Sequence, residues 1–193
     1  MTETATETGV TDQSPTYLLS WNPKKSAWKD IDDYVHKVER NGSVETQWSC
    51  GNAKGIPAGS RFFLIRLGKS PKGIVGSGRT VGEVFQDNHW ETGKQTANFV
   101  NVRFDALDPE PLIELSELSA ELGGFRWDTQ SSGVVIPDQI AKSLEYEWEK
   151  RLTEAVDDAD VGSDVFGWTT FFETVANKLL AFRNNRQQLV AAI

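Results

Sequence analysis

The sequence predicts an α+β protein built on a small, partly closed β-barrel of five to six strands with flanking helices. Short apolar or alternating segments follow one another closely between Tyr17 and Leu107, with few helical patterns among them. Three glycines interrupt the strand predicted at 74–85, and glycines within a strand often mark the bends where a sheet closes into a barrel. The 193 residues suffice for one such domain and an appendage.

Turn residues and hydrophobic periodicity divide the chain into elements. Asn22-Pro23 ends the first strand, Ser26 is expected to cap the first helix, and Asn41-Gly42 stops that helix. Pro137 suits the first turn of a later helix. We therefore expect strands at 17–21, 43–48, 61–67, 74–85 and 98–107, and helices at 28–40, 112–122, 137–152 and 170–192.

Composition predicts the domain organisation. We expect a disordered leader at 1–16, the folded domain at 17–152, an acidic linker at 153–169, and a C-terminal helix at 170–193. The leader lacks the basic and apolar regions of a signal peptide, and no apolar run reaches the roughly 20 residues that span a bilayer. The single cysteine permits no intrachain disulfide. These features predict a cytoplasmic protein without a membrane partner.

Charge is divided unevenly along the chain, although the net charge is −8. Residues 17–104 hold 13 basic and 8 acidic side chains, whereas residues 105–164 hold 4 basic and 16 acidic ones. The overall balance therefore says little about the surface that meets a ligand. A solubilising role would account for the acidic residues at 105–164, but it does not explain the excess of basic residues at 17–104.

The loop at 48–61 is the most informative segment for function. It begins with Trp48-Ser49, contains three glycines and a proline, and leads into an apolar strand. This loop has no evident core to bury, yet it begins with the largest side chain. The combination suggests a binding surface. Because stacking on an aromatic ring replaces what an extruded base loses, we expect Trp48 to form one wall of a nucleobase pocket.

Three segments together resemble the EVE domains of the PUA-like superfamily, relatives of the YTH readers of methylated adenine. They are Tyr17–Pro23, Trp48-Ser49 and Arg61–Gly68, followed by the glycine-interrupted strand. More narrowly, residues 17–152 resemble the EVE-like domains at the N-termini of modification-dependent restriction proteins. The resemblance implies a PUA-like barrel that holds an extruded modified base in an aromatic cage.

The same resemblance suggests which residues contact the base. Trp48-Ser49 resembles a cage tryptophan with its serine, and His89-Trp90 falls where related readers bring a second tryptophan. Each residue alone also suits an ordinary role, because tryptophans often fill barrel cores and Asn and Ser often form turns. The candidate base-binding residues are Ser20, Trp21, Asn22, Trp48, Ser49, Asn52, Trp90, Trp127, Gln130 and Ser131.

Basic side chains in the barrel half are candidates for phosphate contacts. They are Lys24, Lys25, Lys54, Arg61, Lys69, Lys72 and Arg79, of which we favour Lys24, Lys54 and Arg79. The glycine-rich run at 76–82 lacks the lysine and the strand-to-helix context of a phosphate loop.

Chemistry-bearing residues are sparse. His36 and His89 are the only histidines, and no Cys/His set suits a metal ion. Cys50 has no partner histidine in the pattern and is expected to be a small residue beside the pocket rather than a nucleophile. We therefore predict a binding protein without catalytic residues, metal or cofactor.

The combined prediction is a reader that flips a modified base of DNA, a modified cytosine such as 5-methylcytosine or 5-hydroxymethylcytosine, into a Trp48/Trp90 cage. Residues 168–193 resemble the start of a segment found in modified-DNA restriction ATPases, which implies that the C-terminal helix at 170–193 begins an effector segment. The expected partners are therefore modified DNA and an effector nuclease or NTPase outside this chain. The alternatives are a PUA/YTH-like RNA reader of methylated adenine, a protein-interaction adaptor working through the last helix, and a small hydrolase.

Overall fold

The computed structural model describes residues 14–88 and 96–160. Within them the chain forms eight strands and three helices, which confirms the predicted α+β class. In chain order they are β1 (Thr16–Trp21), α1 (Ile31–Asn41), β2 (Val44–Ser49), β3 (Arg61–Arg66), β4 (Gly73–Thr80), β5 (Phe85–Asn88), β6 (Thr96–Leu107), β7 (Ile113–Glu114), α2 (Leu115–Glu121), β8 (Val134–Ile136) and α3 (Asp138–Asp160).

The strands form one curved sheet in the order β2-β6-β4-β3-β1-β8. β1 and β3 run parallel, and the other pairs are antiparallel. β5 adds to β6, and β7 adds to β4. The register shifts between Leu64 and Ile65 and again between Ser77 and Gly78, so the glycine-containing strand β4 is irregular on both sides, as the sequence predicted.

Both faces of the central strands are buried, which explains their continuous apolar sequences. Leu19 of β1 and Phe62 of β3 belong to a first core, which also includes residues of α1. Leu18 and Phe63, their neighbours in sequence, belong to a second core with α2 and α3. Because side chains alternate along a strand, each of these strands serves two cores at once.

The first helix begins later than the sequence predicted. It starts at Ile31 with Asp30 at its N-cap, so Ser26 and Trp28 lie in the connection that follows β1. Its end is as predicted: Gly42 has a left-handed φ of 72°, and its N–H donates to Val38 O at 2.8 Å. Ser26 is not the cap because the chain first turns at Asn22, whose carbonyl accepts two backbone N–H groups.

The last described helix, α3, is longer than predicted and continues to Asp160. The first eight residues of the predicted linker are therefore helical. No glycine or proline interrupts this stretch, and Lys150 lies 4.0 Å from Glu154 one turn later, an arrangement that supports a helix. The proposed division into domain, linker and effector segment stays a prediction.

The predicted leader up to residue 13, the His89-Trp90 pair and the C-terminal helix at 170–193 lie outside the described residues. None of the helices within the described ranges is both long enough and apolar enough to cross a membrane.

Candidate ligand-binding cleft

A cleft of about 330 Å³ lies where the end of β1 meets the end of β2 and the segment before β8. Seven of the ten predicted base-binding residues line it: Ser20, Trp21, Asn22, Ser49, Asn52, Gln130 and Ser131. The remaining lining residues are Lys25, Ser26, Gly51, Leu67 and Ser132. Residues from four separate parts of the sequence thus meet in one depression.

Ser132 joins the two strand ends, which are not paired with each other in the sheet. Its hydroxyl donates to the Ser49 carbonyl at 2.7 Å and accepts the Ser20 N–H at 3.2 Å. Next to it, the Gly133 N–H donates to the Leu18 carbonyl at 2.9 Å. The Ser132 side chain therefore connects the ends of β1 and β2, which share no backbone hydrogen bonds in the sheet. Sequence patterns cannot single out Ser132, because its partners lie 83 and 112 residues away.

Two glycines allow the backbones to approach closely at this junction. A Cβ on Gly133 would lie 2.5 Å from the Cys50 carbonyl oxygen, and one on Gly51 would lie 2.8 Å from the Ser132 carbonyl oxygen. Both residues also have positive φ angles, 75° and 59°. Side chains are excluded here by space and by backbone conformation together.

Among the described residues, Trp21 is the one aromatic side chain that lines the cleft. It is mostly buried, with 8% of its surface exposed, and its indole N–H donates to the Ser26 carbonyl at 2.9 Å. This bond orients the ring and holds the turn after β1 against it. Trp21 and Leu67 supply the apolar part of the lining.

Much of the remaining lining consists of polar side chains that make no hydrogen bond within the described residues. Within the described part of the chain, several side chains at the cleft make no hydrogen bond to protein, and Lys25 makes no ion pair. Hydroxyl and amide groups can both donate and accept, so together they can match the edge of a heterocycle. These side chains are Ser20, Ser26, Ser49, Asn52, Gln130 and Ser131.

Trp48, predicted as a cage wall, does not line the cleft. Alternation along β2 turns it into the first core, where 5% of its surface is exposed. Its ring centroid lies 4.9 Å from that of Trp28 and 6.0 Å from that of Phe104. Its indole N–H donates to the Ser20 carbonyl at 3.3 Å, so Trp48 supports the lining from behind.

Trp127 lies in the second core, away from the cleft lining. It is 2% exposed, its ring packs against Phe125, and its indole N–H donates to the Leu122 carbonyl at 2.9 Å. The predicted contact between Trp127 and a base therefore has no support in this geometry. Trp90 lies outside the described residues.

The favoured phosphate-binding residues are exposed, but none of them lines the cleft. Arg79 donates to the Gly59 carbonyl at 3.0 Å, and Lys24 follows Asn22 in the turn after β1. Lys25, considered but not favoured from the sequence, lines the cleft instead. Arg61, another candidate, is engaged in ion pairs within the fold.

The loop after Trp48 is better anchored than the sequence suggests. Cys50 and Ile56 are buried, which corrects the expectation that this loop has no core to bury. Asn98 of β6 donates from its amide nitrogen to the carbonyls of Gly51 and Ala53, at 3.2 and 3.0 Å. Burial raises the pKa of the Cys50 thiol, which disfavours the reactive thiolate.

Nowhere in the described ranges do three or more His, Cys, Asp or Glu side chains converge as they would around a metal ion. The chemistry available at the cleft is therefore stacking, hydrogen bonding and the charge of one lysine.

Comparison with known proteins shows the fold. No protein-family model and no curated protein matches the sequence. Six solved chains match, among them a hypothetical protein from Leishmania major with 18% identity and a TM-score of 0.55, covering 72% of this chain and 97% of its own. A protein from Pseudomonas syringae matches with 16% identity and a TM-score of 0.50, covering 68% of this chain and 97% of its own.

Human THYN1, solved in complex with DNA containing 5-methylcytosine, matches with 17% identity and a TM-score of 0.38, covering 55% of this chain and 74% of its own. That similarity is too low to transfer a ligand. The Leishmania and Pseudomonas matches establish a shared fold, and membership of the EVE family stays a prediction from the sequence resemblance.

Proposed function

We propose that this protein binds DNA and holds one modified base, a modified cytosine, in the cleft beside Trp21. The observation that carries the proposal is a small cleft with one aromatic wall and a surrounding set of unpaired hydroxyl and amide groups. The resemblance of residues 17–152 to EVE domains, which rests on sequence alone, predicts the same class of ligand.

The size and lining of the cleft suit one heterocyclic ring. Pockets for small molecules typically measure about 300–1,000 Å³, so a cleft of about 330 Å³ lies at the lower limit. A base removed from the duplex loses stacking and pairing, which Trp21 and the polar groups can replace. Base flipping is part of the proposal, because a paired base presents no free ring to such a cleft.

Positive charge near the cleft would contact the DNA backbone. Lys25 lines the cleft, and the exposed side chains of Lys24 and Lys54 lie on the turn and the loop that contribute its walls. With Arg79, these residues are the proposed phosphate contacts. Because such contacts displace counterions, binding should weaken as salt concentration rises.

The proposed role is recognition without catalysis. The Cys50 thiol is buried, and burial raises its pKa. His36 is exposed on α1 and pairs with Glu39 of the same helix. In this proposal the chain is the targeting module of a modification-dependent restriction system and directs that system to modified DNA. A nuclease or NTPase outside the chain then cleaves or translocates the DNA.

A wider depression lies beside α2 and is lined by residues 70–72, 114–116 and 119, with a volume of about 690 Å³. None of the described residues that line it is aromatic, so its greater volume does not favour it as the recognition site.

Binding of matched duplexes, with and without a central 5-methylcytosine or 5-hydroxymethylcytosine, tests the proposal. Asn52→Ala and Gln130→Ala remove exposed groups that make no bond within the described fold, so the variants should fold normally. Each should weaken binding of the modified duplex by roughly 2–13-fold, the equivalent of one neutral hydrogen bond of about 0.5–1.5 kcal/mol. Gln139→Ala, an exposed position on α3, is the matched control and should bind like the wild type.

Equal affinity of the wild-type protein for modified and unmodified duplexes would contradict the proposal. A single-stranded RNA with N6-methyladenine belongs in the same titration, since preference for it would identify the RNA-reader alternative. Absence of binding to every nucleic acid at low salt would favour the adaptor alternative.

A further inference from the structure

Three arginines lie side by side across the sheet. In the strand register, Arg61 of β3 is paired with Arg79 of β4, and Arg79 is paired with Arg103 of β6. Glu45 of β2 is paired with Arg103 at the end of this row. Cross-strand partners project from the same face of a sheet and lie close together. The three side chains therefore form one row of positive charge, which we call the arginine row.

The protein itself neutralises the two outer members of the arginine row. Like charges directly opposite one another destabilise a sheet, so such a row needs counter-charges. Arg61 is 15% exposed and lies 2.8 Å from both Asp105 and Glu145 in the network that fastens α3. Arg103 lies 2.6 Å from Glu45, but both of these side chains are more than half exposed. Exposed ion pairs of this kind contribute little to stability and are easily exchanged for another partner.

Arg79, in the middle of the row, makes no ion pair within the described residues. Its side chain is exposed, and the one hydrogen bond that it donates there runs from Nη1 to the Gly59 carbonyl at 3.0 Å. Most N–H donors of its guanidinium group are therefore unused. A cation that lies between two other cations and has unused donors would be stabilised by an external anion.

The neighbouring positions on the same face carry amide side chains. Gln47 and Asn101 are paired with each other, two residues along β2 and β6 from Glu45 and Arg103. Both are exposed, and neither side-chain amide makes a hydrogen bond within the described part of the chain. Arginine, asparagine and glutamine side chains are typical contacts to the phosphates and sugars of DNA. The chemistry of this face therefore suits a nucleic-acid backbone.

The same face of β2 leads to the cleft. Glu45, Gln47 and Ser49 alternate on one side of the strand, and Ser49 lines the cleft. Four residues separate Glu45 from Ser49, which corresponds to roughly 13 Å along the strand. Phosphates follow one another every 3.4 Å or so along one strand of a duplex, so this separation is about four nucleotides. One duplex can therefore reach the cleft and the arginine row together.

We infer that Arg79 and Arg103 form a phosphate clamp, a second anion-binding site that contacts the backbone of the duplex held at the cleft. The inference rests on the proposed function, and it adds Arg103 as a DNA contact and Glu45 as an internal competitor. In the free protein Glu45 occupies Arg103. On binding, a phosphate takes the place of the Glu45 carboxylate and is shared by both guanidinium groups, whose planar geometry suits phosphate oxygens.

Titration of the full chain with the modified and unmodified duplexes at several salt concentrations tests the clamp. Arg103→Met should weaken binding of both duplexes about tenfold, because a charge-assisted hydrogen bond is lost. The double variant Arg79→Met/Arg103→Met should reduce the magnitude of the negative slope of log K against log salt concentration by about 0.9, the value for one phosphate. A reduction of about 1.8 would mean two separate phosphates and would overturn the shared clamp.

Removal of the competitor should strengthen binding. Glu45→Gln frees Arg103 from its ion pair, so both duplexes should bind roughly two- to fivefold more tightly. Glu121→Gln, at an exposed position of α2, changes the net charge equally and should bind like the wild type. Combined with Arg103→Met, Glu45→Gln should give no gain. These arms leave the bond between Arg79 and Gly59 intact, so they test the clamp even where Arg79→Met folds poorly.

Equal gains from Glu45→Gln and Glu121→Gln, or a wild-type slope in the double arginine variant, overturn the clamp. Recognition of modified DNA by the wild type would then still stand. Conversely, the predicted slope and gain in a protein that binds both duplexes equally would support the clamp and overturn modified-base recognition. Absence of binding to either duplex at low salt overturns both.

Discussion

At the scale of single residues, the shape of the cleft depends on two glycines, which have no side chain, as much as on the polar side chains around them. Gly51 and Gly133 let residues 50–51 and 132–133 come together, and Ser132 then reaches Ser49 and Ser20. A side chain at either glycine would push these segments apart. The polar groups proposed to read a base lie on the segments that would separate.

Gly133→Ala should therefore destabilise the protein more than an alanine at an unobstructed glycine of similar conformation. Gly59 has a φ of 82° with nothing within 4 Å of the missing Cβ, so Gly59→Ala isolates backbone strain of roughly 1–2 kcal/mol. At Gly133 overpacking of about 1–3 kcal/mol is added, for a total of roughly 2–5 kcal/mol. Gly55→Ala, with neither feature, should change stability by less than about 0.5 kcal/mol.

Urea unfolding of the three variants measures these differences. If Gly133→Ala lost no more stability than Gly59→Ala, the close approach would not be a steric requirement.

At the scale of elements, a polar network fastens α3 to the sheet. Arg61 of β3 donates to both carboxylate oxygens of Glu145 on α3, at 2.9 and 2.8 Å, and to Asp105 at 2.8 Å. Ser77 donates to Asp105 at 2.7 Å and accepts the indole N–H of Trp148 at 3.0 Å. Burial alone would lower the pKa of Arg61, but the two carboxylates outweigh it and the pKa is raised.

Arg61→Met should cost roughly 2–3 kcal/mol of unfolding free energy, because it leaves two carboxylates facing each other without a cation. The value lies below that for a fully buried pair, since the carboxylates of Asp105 and Glu145 are 37% and 33% exposed. The matched control is Arg103→Met, whose partner Glu45 is more than half exposed and whose loss should cost less than about 1 kcal/mol. Equal effects in thermal or urea unfolding would show that the network does not fasten α3.

At the scale of the whole molecule, basic residues are more frequent in the sheet region at 17–104, and acidic residues are more frequent in the region of α2 and α3. The acidic residues of 105–164 lie largely on or beside α2 and α3, whereas the turn and the loop at the cleft carry lysines. A net charge of −8 is therefore compatible with binding a polyanion at one face.

Replacing Lys24, Lys25 and Lys54 by glutamine should weaken binding to modified and unmodified DNA alike. The slope of log K against log salt concentration is negative, and its magnitude should decrease by about 0.9 for each of these lysines that neutralises a phosphate. Lys142→Gln with Lys150→Gln removes two exposed cations from α3 and should leave the slope unchanged. A similar fall in both sets would mean that overall charge, rather than the surface near the cleft, controls binding.

Periodicity in the sequence was enough to predict the elements that carry strong local signals. β1 and β3 are apolar runs with turn residues after them, and Gly42 ends α1 as expected. β7 and β8 were not predicted because two or three residues show no period, and they are strands only through pairing with β4 and β1. The predicted start of α1 was wrong because nothing local shows that Trp28 turns into the core.

For the cleft, the sequence by itself determined the chemical types: serines and amides beside tryptophans, at the ends of predicted strands. The tertiary structure decided which of them meet. Ser49 faces the cleft and Trp48 the core because β2 continues through both and its side chains alternate. Trp21 and Gln130 both line the cleft because β8 pairs with β1 more than a hundred residues later in the chain, and such a long-range pairing has no local signature.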